Sequence, residues 1–243
     1  MRKLFSLMLV VLGAAALVSC SKDDDDVLRD GEGVITFVTK AKRIEVKKDS
    51  YYEPEEDLYL ETFNAGDRIT IDWGDGNEDE YVPVREEYKD EDGEIEVYYE
   101  IIPEHTYTDG KSSHTITVRG KIKWFSIDDC EVTSIDVTKC PALEGLDCEY
   151  NPLTSLNISK CTALKDLYCS GNQLTSLDIS KNTALESLYC YHNQFSASAM
   201  NKIYNDLPQG RVDEYGERSR LICNKLGDYS IAENKGWDVQ LIN

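Results

Sequence analysis

A strand-turn phrase in this chain returns every 21 residues: GLDCEYNPLTSLNISKC from Gly145, DLYCSGNQLTSLDISKN from Asp166 and SLYCYHNQF from Ser187. Leu146, Leu167 and Leu188 are in phase, as are Cys148, Cys169 and Cys190, and then Asn151, Asn172 and Asn193. A single globular core imposes no such period, whereas stacked units that each bury one face against the next require it. The rear half is therefore expected to be a solenoid.

The phrase resembles the leucine-rich-repeat consensus L-x-x-L-x-L-x-x-N-x-L with cysteine in the third apolar slot, as in Leu164, Leu167, Cys169, Asn172 and Leu174. The resemblance implies one short parallel strand per repeat, apolar side inward, with the asparagine bonding backbone groups where the chain turns out of the strand. One period earlier, Ile122, Phe125, Ile127, Val132, Ile135 and Val137 keep the apolar slots while Cys130 replaces the asparagine, so the array is expected to start near Lys121. Past Phe195 the period fails. SASAMNKIYNDLP carries a helical pattern (Met200, Ile203, Tyr204, Leu207) stopped by Pro208 and reads as a cap. A strand at 221–223, a short helix near Ile231 and a closing strand at 237–241 are expected after it.

MRKLFSLMLVVLGAAALVSC has a basic start and an apolar run too short to span a bilayer, so it reads as a signal peptide. Leu17-Val18-Ser19-Cys20 resembles the bacterial lipobox, which implies acylation of Cys20 and a lipid anchor as the only membrane attachment. The following SKDDDD resembles the acidic export signal of some outer-membrane lipoproteins, and the resemblance implies a chain facing the cell exterior. Residues 20–120 carry 12 Lys and Arg against 29 Asp and Glu, and residues 121–243 carry 12 against 17. Such a chain lacks the basic face that nucleic acid or anionic lipid requires.

Seven cysteines follow Cys20. Cys148, Cys169 and Cys190 hold equivalent inward positions, where Cβ atoms stand at the strand spacing of roughly 4.8 Å rather than the roughly 3.8 Å a disulfide prefers. They read as free thiols acting as small hydrophobes, similar to the cysteine ladder of internalin-type repeats. Cys140 and Cys161 form a second ladder in a slot that Asn182 fills later. Zinc is disfavoured because the Cys-x-x-Cys spacing is missing.

Between 31 and 120, alternating segments at 34–38, 43–46, 68–73, 95–101 and 114–118 are separated by turn signals, the pattern of a small antiparallel sandwich. Trp73-Gly74-Asp75-Gly76 and the later His105-Thr106-Tyr107 resemble the marks of PKD-like extracellular domains, with an inserted acidic hairpin at 86–100. The resemblance implies structural roles for these residues. Calcium on Asp72, Asp75 and Asp79, or on Asp90 and Asp92, is the sharper alternative, but neither run supplies a full ligand set.

The catalytic inventory is thin. His105, His114 and His192 read as a packed residue, an exposed strand start and a turn position, and no nucleophile elbow, zinc-protease or phosphate-loop motif occurs. What remains is a surface. Residues alternating with the buried positions point to the concave side: Trp124, Ser126, Asp128, Gly145, Asp147, Glu149, Asp166, Tyr168, Ser170, Ser187, Tyr189 and Tyr191.

The sequence is read as mostly β. Residues 1–19 are a lipoprotein signal peptide, 20–33 an acidic tether, 34–120 a PKD-like β-sandwich, 121–195 a short leucine-rich-repeat solenoid and 196–243 an α/β C-terminal cap. The expected role is a monomeric, non-catalytic binding or adhesion module without metal or cofactor. Trp124, Asp128, Asp147, Glu149, Asp166, Tyr168, Tyr189 and Tyr191 would engage a host or neighbouring-cell protein or a glycan. Two other roles fit the same pattern: a glycan-capture accessory lipoprotein of an outer-membrane uptake system, and a rigid spacer whose exposed tyrosines bind nothing.

Overall fold

The computed structural model describes residues 31–44, 46–47, 55–56, 58–89, 95–212 and 216–242. The signal peptide, Cys20, the aspartates at 23–26 and the Asp90 and Asp92 pair lie outside the described residues. The chain is mostly β. In order it forms β1 (Gly33–Thr39), β2 (Arg43–Ile44), β3 (Val46–Lys47), β4 (Glu55–Glu56), β5 (Tyr59–Thr62), β6 (Ile69–Asp72), β7 (Glu78–Tyr81), β8 (Val84–Lys89), β9 (Ile95–Ile101), β10 (His105–Thr106) and β11 (His114–Gly120). It continues with β12 (Ile122–Ser126), β13 (Val132–Lys139), β14 (Gly145–Asp147), β15 (Asp166–Tyr168), β16 (Ser187–Tyr189), α1 (Ala197–Asp206), β17 (Arg220–Asn224), α2 (Ser230–Asn234) and β18 (Asp238–Ile242).

Two sheets carry most of the chain. Five strands pair antiparallel in the order β13-β1-β11-β6-β7. Nine pair in the order β18-β17-β16-β15-β14-β12-β5-β9-β8. From β12 to β18 they run parallel, and from β12 to β8 antiparallel. The change of direction falls on β12, where Phe125 is partnered by Leu146 on one side and Leu60 on the other.

The degenerate first repeat thus divides between the sheets, because β13 leaves the repeat ladder to pair with β1, Ile135 opposite Phe37. Alternation explains the layering: Ile35 and Phe37 of β1, Ile69 and Ile71 of β6, and Ile116 and Val118 of β11 are fully buried, while Thr36, Thr70 and Thr117 between them are only partly buried. They share one core with Leu60, Phe125 and the repeat leucines, and Phe37 meets Phe125 edge-on at 5.8 Å between ring centres. Each such side chain contributes about 1.5–3 kcal/mol by leaving water.

In the repeats Leu146, Leu167 and Leu188 are direct cross-strand partners and fully buried. The ladder continues where the sequence period stops, with Leu221 opposite Leu188 and Val239 opposite Leu221. The helix intervenes between those strands: Ser196 caps α1 by accepting from the Ala199 amide at 3.1 Å, and Met200, Ile203 and Tyr204 form its buried face. Cys223 then occupies the slot of Cys190, a fourth rung that the altered spacing hides in the sequence. All seven cysteines from Cys130 onward are free and buried. Desolvation holds the thiols of Cys148, Cys169 and Cys190 well above the ordinary range, so they are inert packing groups.

Each asparagine of the phrase ties two repeats together. Asn172 donates through Nδ2 to the carbonyls of Cys148 at 2.8 Å, Cys169 at 3.2 Å and Ser170 at 3.2 Å, and its Oδ1 accepts from the Leu153 amide at 3.1 Å. Asn151 and Asn193 repeat the pattern one period either side, and Asn151 Oδ1 accepts from the Cys130 and Val132 amides where the first copy lacks its asparagine. One residue before each of these slots the backbone is left-handed: Asp129 at φ 48°, Tyr150 at 49°, Gly171 at 67° and His192 at 52°. Only one of the four is the glycine that this conformation favours.

In the front part, Trp73 is fully buried, stacks on His105 at 4.6 Å and donates to Asp79 at 2.8 Å. Asp75 accepts from the Asn77 amide at 3.0 Å and bonds His105 Nε2 at 2.8 Å, which holds its carboxyl below the usual range despite burial. Asp72 accepts from the Gly74 amide at 2.9 Å. The three carboxylates of the first calcium alternative are therefore used in the turn, and among the described residues no group of three or more acids, histidines or cysteines is placed to hold a metal ion. Gly74 is required there: at φ 75° an added Cβ would meet the Thr115 carbonyl at 2.3 Å. His114 is not the exposed strand start expected from the sequence. It is 4% exposed, stacks on Tyr107 at 3.6 Å and bonds Asp109 at 2.9 Å.

Candidate functional site

Cross-strand register sorts the outward residues of the nine-stranded sheet into rows. One row runs Trp124, Gly145, Asp166, Ser187, Arg220, and the next Ser126, Asp147, Tyr168, Tyr189, Ile222. A third holds Asp128, Glu149, Ser170 and Tyr191, aligned by the amides of Asp129, Tyr150 and Gly171. The eight residues singled out by alternation all lie on this open face. They are half-buried rather than fully exposed, and Ser170 and Gly145 are buried outright.

The structure sorts seven of them into three groups, while Asp166 lines a pocket. Trp124 meets Tyr168 edge-on at 5.8 Å, and Tyr168 packs on Tyr189 at 4.5 Å, a continuous aromatic stripe. Trp124 reaches Tyr168 across an intervening strand because that strand offers Gly145, which has no side chain to block it. Asp128, Asp147 and Glu149 form a separate acidic group, in which Asp147 Oδ1 accepts from the Glu149 amide at 3.1 Å. Burial pushes the Asp147 carboxyl up to about 7, with the charges of Glu149 and Asp128 adding to the shift. Tyr191 stands apart from the stripe, its hydroxyl bonded to that of Tyr150 at 2.9 Å, while Tyr150 lies over Gly171.

The face does not end with the repeats. Tyr59 lies opposite Ser126, Glu61 opposite Trp124, Glu100 opposite Glu61, and Glu86 opposite Tyr98, so β5, β9 and β8 extend the same surface. Tyr59 donates to Glu61 at 2.9 Å and to Glu100 at 3.0 Å, and Lys123 approaches Glu61 at 3.1 Å. Desolvation raises the Glu100 carboxyl above its ordinary range. Glu86, Tyr98 and Glu100 belong to the acidic hairpin at 86–100 that the sequence assigned to the sandwich, whereas Tyr59 and Glu61 were missed because β5 carries no repeat phrase. The signal for the latter is the alternation of Tyr59, Leu60 and Glu61.

A pocket of about 410 Å³ opens at the other end of the stripe. Asp166, Tyr168, Ser187, Tyr189 and Arg220 of the sheet line one side of it, and Arg211, Val212 and Arg218 line the other. The latter wall comes from the segment between α1 and β17, where Val212 and Arg218 bridge antiparallel and the Ser219 amide donates to the Arg211 carbonyl at 2.9 Å. Arg211 pairs with Glu186 at 2.9 Å, and Arg220 donates to the Tyr189 hydroxyl at 3.4 Å. The three arginines were not anticipated from the sequence, since they lie outside the repeat phrase. Hydrogen-bonding charged groups beside aromatic rings can hold a ligand.

No protein-family model matches the chain, and no curated protein matches it. Among solved structures it is similar to a leucine-rich-repeat protein of Leptospira interrogans, at 28% identity and TM-score 0.30 over 32% of this chain and 21% of that one. It is also similar to the internalin InlF of Listeria monocytogenes, at 18% identity and TM-score 0.36 over 49% of this chain and 43% of that one. The functional domain of InlJ from Listeria monocytogenes, described as including a cysteine ladder, is 21% identical with TM-score 0.33 over 51% of this chain and 31% of that one. The chain thus spans less than half the length of each.

Proposed function

We propose that this chain is a non-catalytic binding or adhesion module displayed at the cell surface, in which a PKD-like sandwich supports a short leucine-rich-repeat solenoid. A protein or glycan ligand engages the open face of the repeats. The observation that carries this reading is the stripe of Trp124, Tyr168 and Tyr189, three half-buried aromatics in mutual contact on a solvent-facing sheet. Such a stripe supplies large, rigid contact area at low entropic cost, the kind of anchor that dominates binding interfaces. The parallel strands hold it in register, so the spacing of the aromatics is set by the backbone.

Cys20 is proposed as the lipidated residue of an outer-membrane anchor facing the exterior, with the chain a monomer on an acidic tether. Replacing Cys20 with Ala should move the protein from membrane to soluble fractions; unchanged fractionation rules the anchor out. Binding is tested on arrays of glycans and host proteins probed with the chain from Ser21 onward. At least one of Trp124→Ala and Tyr168→Ala should weaken capture of the ligand by about 2 kcal/mol or more. Full affinity in the double variant would leave the spacer role instead.

A further inference from the structure

The pocket exists because the chain departs from its own repeat. Leu188 and Leu221 are neighbours in the ladder, yet 33 residues separate them where 21 separate the earlier leucines. Part of the surplus forms α1, and part forms the segment carrying Arg211, Val212 and Arg218 that stands over the open face. Insertions into one repeat of an array are placed on one side of the stack, often the side that binds.

The chemistry of the lining narrows the occupant. Among the described residues Arg211, Arg218 and Arg220 are balanced by Asp166, Glu186 and Glu217, so the described lining is neutral in a chain of net charge −20. Val212 is the only aliphatic side chain among the described lining residues. A pocket for a peptide side chain would be poor in charge and rich in apolar surface, the reverse of what is found. An acidic saccharide would meet three carboxylates along with the three guanidinium groups and would gain no net attraction from the described lining. A neutral sugar ring is matched by both features: its hydroxyls need donors and acceptors side by side, supplied by guanidinium and carboxylate, and its C–H surface needs an amphipathic aromatic, supplied by Tyr168 and Tyr189. The volume, about 410 Å³, is at the small end of ligand sites and suits a short saccharide rather than a folded partner.

We infer that this pocket binds a neutral hexose unit of a glycan, a reading that rests on the open face being the binding face and specifies its ligand. The test is titration of the full-length chain with neutral oligosaccharides of glucose, galactose and mannose, with oligogalacturonate, and with a lysine-rich and an acidic peptide. At least one neutral oligosaccharide should bind. Arg218→Ala and Tyr189→Phe, which leave the aromatic stack in place, should each weaken it by roughly tenfold or more. Trp124→Ala, outside the pocket, should weaken it less than either. Tighter binding of oligogalacturonate or of either peptide overturns the inference, as does neutral-sugar binding that Arg218→Ala leaves unchanged. If a protein ligand is found whose capture depends on Trp124 and not on Arg218, the inference falls while the binding role of the face stands. If no ligand responds to either residue, both fall.

Discussion

Trp124 lies over Gly145 so closely that a Cβ added there would come within 1.9 Å of the indole Cε3. The glycine is what allows one aromatic to cross a neighbouring strand and join the stripe. Gly145→Ala should therefore displace the indole and cost about 1–3 kcal/mol of stability, as overpacking does. In a Trp124→Ala background the same change should cost much less, and chemical denaturation of the four proteins of this cycle measures the difference. Equal costs in both backgrounds would show that the glycine serves the backbone rather than the tryptophan.

Asn172→Ala should be among the most damaging single changes in the repeats. It removes the partner of three carbonyls and of the Leu153 amide in a region closed to water. A loss of about 2–4 kcal/mol is expected from unpaired buried groups, read as a fall in denaturation midpoint. The equivalent change at the solvent-facing Gln173 should be nearly neutral.

The left-handed column predicts opposite signs one repeat apart. His192 is exposed with φ 52°, so His192→Gly should relieve strain and stabilise by up to about 1 kcal/mol, after the extra entropy of the unfolded chain is subtracted. Gly171→Ala should destabilise by about 1–3 kcal/mol, because φ is 67° and the new Cβ would lie 2.6 Å from Tyr150 Cδ1. Thermal melts of both variants decide it; two changes of the same sign would contradict the argument.

Asp147 makes stability depend on pH. Its folded-state carboxyl titrates near 7 while the unfolded one titrates near 3.8, so the native state holds more protons between these values. Stability should therefore fall as pH rises from about 4 to about 7, and be flat with respect to this group beyond. Asp147→Asn should remove that slope and raise stability at pH 8 by about 1–3 kcal/mol. An unchanged slope would assign the effect to other carboxylates such as Glu100.

What was legible from sequence was what the repeat dictates. The phrase placed Leu146, Leu167 and Leu188 as ladder partners and the asparagines as bridging groups, because a period of 21 forces equivalent residues into equivalent contacts. Alternation likewise marked Trp124, Tyr168 and Tyr189 as facing outward, although how deeply they pack against one another depends on Gly145 and could not be read from spacing alone. Contacts made once, without repetition, left no pattern. The pairing of β5 with β12 joins segments some sixty residues apart through ordinary alternating strands. Cys223 is out of phase because a helix intervenes, and the arginine wall is an interruption of the very pattern that made the rest readable. His114 looked exposed because strand starts usually are; its partner Asp109 and the Tyr107 ring cover it in three dimensions.

The double pairing of β12 has a mechanical consequence. With β14 bonded along one edge and β5 along the other, a pull between the two ends of the sheet has no slack segment to straighten at this junction. Load must pass across strand-to-strand hydrogen bonds and the core beneath them, so the two halves should yield to force together, with a single rupture rather than successive extensions.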